Sequence, residues 1–78
     1  MNKTRLKALK AIVEAIEEQK QKLAEVIDEE SDAFDNLPES IQESDRGAAM
    51  EEGIDNLDDA LESLDDLLEL IREVIGEV

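Results

Sequence analysis

The sequence predicts an all-α protein, an antiparallel two-helix hairpin that associates into a four-helix bundle. Three observations carry this. Apolar residues recur at alternating spacings of three and four in two separate stretches, a proline-containing segment divides the stretches, and the 78 residues include a single aromatic side chain, Phe34. Alternating threes and fours keep one face of a helix apolar over many turns. A core without large aromatic rings must be filled by Leu, Ile, Val, Met and Ala, which suits helix packed on helix.

The first helix is expected over residues 4–35. Its seam is Leu6, Leu9, Val13, Ile16, Lys20, Leu23, Ile27, Glu30 and Phe34. Two members are charged, and Lys20 and Glu30 are expected at the edge of the partner helix or as register markers. The helix ends near Asp35, because Pro38 disfavours the helical conformation for Leu37.

A hinge occupies 36–44. Pro38 is expected to open a short helical turn at its first position, and Leu37 and Ile41, four apart, to fold down and plug the end of the hairpin. Asn36, Pro38, Ser40 and Gln42 are read as capping and turning residues, with Arg46 pairing with a nearby acid.

The second helix is expected over 45–77, capped by Ser44 or Asp45, with Glu51 and Glu52 in its early turns. Its seam, Met50, Ile54, Leu57, Leu61, Leu64, Leu68, Ile71, Ile75 and Val78, is apolar throughout. Gly47 and Gly53 each disfavour helix by up to ~1 kcal/mol relative to Ala, so both are expected where another helix approaches closely, with a frayed start of the helix as the alternative. The whole of 1–78 is one domain.

Further apolar residues lie beside the seams: Ile12 and Val26 in the first helix, Leu67, Leu70 and Val74 in the second. A two-stranded seam does not need them. A homo-oligomer, most simply a dimer, is expected to cover them, with Leu64, Leu67, Leu68, Ile71 and Val74 at its interface.

Charge is the other dominant feature. The formal net charge is −15, yet residues 1–22 carry six Lys and Arg against three Glu. The basic start of the first helix is therefore expected beside Glu69, Glu73 and Glu77 of the second. The second helix's outer face holds Asp58, Asp59, Glu62, Asp65 and Asp66 at its centre, and Arg72 alone opposes its acids. Such a face repels itself, so stability should increase with salt and in mild acid. It argues against nucleic acid or an anionic membrane as a direct ligand and marks these five acids as the expected contact for a basic partner.

The same residues exclude most chemistry. With no Cys and no His, disulfides, thiolate nucleophiles, common zinc sites and the commonest general base are gone. Acid pairs three apart occur at Glu14/Glu17, Glu25/Asp28, Glu29/Asp32 and Glu62/Asp65. In all-helical nucleotide pyrophosphohydrolases such pairs hold Mg²⁺ in a bundle core, but here the seams turn them outward. Glycine-rich phosphate loops and basic-aromatic surfaces are missing. A non-enzyme without cofactor or metal is expected. No apolar run approaches the ~20 residues of a membrane span, and a cytoplasmic address in a bacterial host is the default.

The segment from Phe34 to Gly47, FDNLPESIQESDRG, followed by Met50-Glu51-Glu52 and an acidic leucine-rich helix, resembles a family of short acidic helical proteins. These are encoded by bacteriophages, prophages and mobile elements of Gram-positive bacteria. The likeness implies a genomic setting and supplies no catalytic residues. Together with the charge, it suggests a phage accessory protein that binds and inhibits a basic host protein, as a mimic of DNA phosphates. A purely structural homo-oligomer and a small-ligand-sequestering oligomer are the alternatives.

Overall fold

The computed structural model describes residues 1–76, so the expected end of the second helix at Glu77 and the last seam residue, Val78, lie outside the described residues. Helix α1 spans Lys3–Asp35, a short α2 spans Glu39–Gln42, and α3 spans Asp45–Gly76. Helices α1 and α3 pack against each other along their length as a hairpin of 58 × 15 × 13 Å.

Helix α1 starts one residue before the expected Thr4. Asn2 caps it, its side-chain oxygen accepting the Arg5 backbone N–H at 2.8 Å and satisfying one of the orphan donors of the first turn. At the other end the Asn36 N–H bonds back to the Asp32 carbonyl, and Leu37 N–H to that of Phe34, before Pro38 stops the helix.

Both seams fold inward as their spacing requires. Every described seam residue is at least half-buried, Lys20 and Glu30 included. Val13, Ile27 and Leu68 form the dry centre, and Leu68 is only 1% exposed. The ion pairs Lys20–Asp65 and Glu17–Arg72 tie α1 to α3, and Lys20 uses its seam position to send its ammonium to the edge of α3.

That register corrects the expected pairing of the basic start of α1 with Glu69 and Glu73; the expected partner Glu77 lies outside the described residues. With Glu17 reaching Arg72 and Lys20 reaching Asp65, Gly76 comes level with the stretch between Leu9 and Val13. Lys3, Arg5 and Lys7 therefore reach past Gly76. Among the described residues neither they nor Lys10 forms an ion pair with Glu69 or Glu73.

Two side chains, Gln42 and Ser44, hold the hinge. The Gln42 amide donates to the Phe34 carbonyl at 3.0 Å and the Leu37 carbonyl at 3.2 Å, with a longer contact to that of Asp35. It thereby caps the carbonyl end of α1 from α2. Pro38 sits one residue outside α2 as its N-cap, not at its first helical position. Leu37 and Ile41 are half-buried. Ser44 caps α3: its hydroxyl donates to the Ile41 carbonyl and accepts the Gly47 N–H.

Gly47 is buried where α3 leaves the hinge, and a Cβ there would lie 2.1 Å from the Gln42 carbonyl oxygen and 2.5 Å from that of Ile41. Close approach thus explains Gly47, though to α2 and not to α1. It does not explain Gly53, around which a Cβ would meet nothing within 4 Å. Ser40 and Arg46 are exposed, and among the described residues neither side chain forms a hydrogen bond or ion pair.

Candidate interaction surface

The two sides of the hairpin differ, and the seams show how. Glu17 directly follows seam residue Ile16, and Arg72 directly follows Ile71. Their ion pair places these following positions of both helices on one side. In α3 the following positions are Glu51, Asp58, Asp65 and Arg72, all charged. This is the polar side.

The opposite side is built from residues that directly precede a seam residue. In α3 these are Gly53, Ala60, Leu67 and Val74, and in α1 they are Arg5, Ile12, Gln19, Val26 and Ala33. Just beyond them on α3 run Ala49, Asn56, Ser63 and Leu70. From Ala49 to Val74 this double row is free of charge, in a helix whose remaining outer positions are mostly Asp and Glu. Ile12 and Val26 of α1 and Leu67, Leu70 and Val74 of α3 all lie on this side of the hairpin and are all exposed, Leu70 most of all at 64%. The groove lined by Met1, Arg5, Ala8, Leu9 and Ile12 extends it to the open end.

Of the five residues expected at an oligomer interface, Leu67 and Val74 are exposed on this row and Leu64 and Ile71 are half-buried in the seam. Leu68 is enclosed within the hairpin, where a second copy cannot reach it. Leu70 is the better candidate. Its signal was present in the sequence, as the neutral second row just described.

Of the five acids expected to contact a partner, Asp58, Asp59, Glu62 and Asp66 are exposed, and among the described residues none of them forms an ion pair. Asp65 is taken up by Lys20. All five lie off the neutral row, so the acidic ridge and the apolar face are separate surfaces.

The acid pairs three apart stay on the outside: all eight of their residues are exposed, and Glu17 and Asp65 are engaged with Arg72 and Lys20. Among the described residues no group of three or more Asp and Glu is placed to hold a metal ion. No described helix is long and apolar enough to cross a membrane.

The fold and its surfaces define an acidic helical hairpin with one polar and one apolar side. Comparison with protein-family models, with characterised proteins and with solved structures yields no match.

Proposed function

We propose that this chain is a non-catalytic phage or mobile-element accessory protein that binds and inhibits a basic host protein in the bacterial cytoplasm, acting as a mimic of DNA phosphates. In this reading two hairpins join into a four-helix bundle and carry the acidic ridge of α3 on the outside. The acidic ridge, on which Asp65 is paired with Lys20 and the other acids form no ion pair among the described residues, supports the reading most directly. From Glu51 to Glu73 ten acids line α3, and at 1.5 Å rise per residue their mean spacing along the axis is about 3.7 Å. One strand of B-DNA carries a charge per ~3.4 Å. A surface built to grip a DNA strand therefore meets a similar line of charge, held on a rigid rod.

A structural homo-oligomer without a regulatory target is the second reading, favoured by the exposed apolar row. Capture from bacterial lysate separates the two. The tagged chain is expected to retain a basic, nucleic-acid-handling protein at low salt and release it at high salt. A variant with Asp58, Asp59, Glu62 and Asp66 changed to Lys should lose it at any salt. Capture that survives this reversal would remove the mimic reading, and a bait that retains nothing would leave the structural one.

A further inference from the structure

The apolar row spans both helices, runs the length of the molecule and is matched by a marked charge asymmetry between its ends. Residues 25–55, which surround the hinge, contain twelve acids against Arg46 alone, whereas residues 1–10 and 69–76 at the open end contain five cations against two acids. We infer that a second copy of this chain docks on the row head to tail, the hinge of one hairpin over the open end of the other, so that α1 packs antiparallel on the partner's α1 and α3 on its α3. This rests on the self-association read above and specifies its face and sense.

Three features select that arrangement. First, area: the two-helix face is 15 Å wide, and with α1 overlapping its copy over its full length and α3 over residues 58–76, docking removes roughly 1,200 Å² from two protomers, at the lower edge of the range for stable interfaces. The chain's accessible surface of 5889 Å² also exceeds the roughly 4,700 Å² usual for a compact monomer of its mass. Second, charge: head-to-tail docking lays Lys3, Arg5 and Lys7, which reach past Gly76, over the acidic end of the partner's α1. Docking hinge on hinge would instead bring two strongly acidic ends together, a costly like-charge juxtaposition. Third, shape: the bulky Leu70 and Val74 near the open end then meet the small Ser63 and Ala60 of the facing α3, and Ile12 comes opposite Val26. Hinge on hinge would set small residues against small ones around Ala33 and Gly53 and leave a gap.

The register places Gln19 of α1 at mid-length, level with Leu67, where a head-to-tail dimer brings each Gln19 against its copy. Hinge-on-hinge docking faces Gln19 with α3 and Ala33 with Gly53. The chain has no cysteine, so thiols can be introduced singly at Gln19, Ala33 and Gly53, all exposed. In a glutathione redox buffer the Gln19→Cys chain is expected to form a covalent dimer at least ten times more readily than a mixture of Ala33→Cys and Gly53→Cys chains forms its mixed dimer. The reverse preference, or a dimer that traps neither, overturns head-to-tail docking on this face. Sedimentation equilibrium of the unsubstituted chain is run in parallel. The mass of a single chain at all concentrations would overturn the self-association itself, whereas a dimer mass with the wrong linkage overturns only the sense of docking.

Discussion

Changing Gly47 to Ala isolates the junction that makes the chain a hairpin. A methyl group built there lies 2.1 Å from the Gln42 carbonyl oxygen and 2.5 Å from the Gln42 carbonyl carbon and the Ile41 carbonyl oxygen. All three are backbone atoms, so the clash cannot be relieved by rotating a side chain; α2 and α3 must separate. Overpacking of this kind costs about 1–3 kcal/mol, while the helical preference of Ala over Gly returns up to ~1 kcal/mol, leaving a net loss of up to about 2 kcal/mol. Gly53→Ala is the internal control. It lies in the same helix with nothing within 4 Å of the added carbon and should gain ~0.5–1 kcal/mol. At ~4–8 °C per kcal/mol for a domain of this size, Gly47→Ala should melt below Gly53→Ala by up to roughly 20 °C by far-UV circular dichroism at equal chain concentration. Two alanines that stabilise alike would refute the close packing of α3 on the hinge.

Further outcomes follow from the same geometry. Gln42→Ala removes the donor shared by the Phe34 and Leu37 carbonyls and should cost about 1 kcal/mol, with faster amide exchange confined at first to residues 36–44; protection unchanged there would deny its capping role. Leu68→Ala, at the most enclosed position, should cost ~2–5 kcal/mol, whereas Arg72→Ala, which breaks an exposed ion pair, should cost no more than ~1 kcal/mol; urea titrations giving the opposite order would mean the seam is misplaced. Added salt shortens the screening length from ~10 Å at 0.1 M to ~3 Å at 1 M, so the melting temperature should rise over that range, and a flat or falling trend would contradict self-repulsion of the acidic ridge.

The seams were legible because threes and fours leave one helical face apolar whatever the partner, and even Lys20 and Glu30 took their places in it. Pro38 likewise ended α1 where expected. What the sequence hid depends on register and distance along the chain. Gln42 caps as expected, but its reach of eight residues back to Phe34 lies beyond any local spacing rule. Gly47 and Gly53 look alike as letters and differ only in whether α2 lies overhead. The basic start of the first helix does not pair with Glu69 or Glu73, because the cross-helix ion pairs form nearer the middle, while Glu77 lies outside the described residues. The neutral row beside the seam could have been found by asking which outer positions of the second helix lack acids. The individual apolar residues stand out as letters, while Ala49, Asn56, Ala60 and Ser63 that complete the row with Gly53 do not.

Multi-angle light scattering of the purified chain across a wide concentration range tests most directly whether the apolar side of the hairpin is an interface. The expected result is a species of twice the 8.7 kDa chain mass that reverts toward single chains on replacing Leu67 and Leu70 with Lys while the helical signal persists. A single-chain mass at every concentration would contradict it and leave the exposed row of Ile12, Val26, Leu67, Leu70 and Val74 without a partner of its own kind.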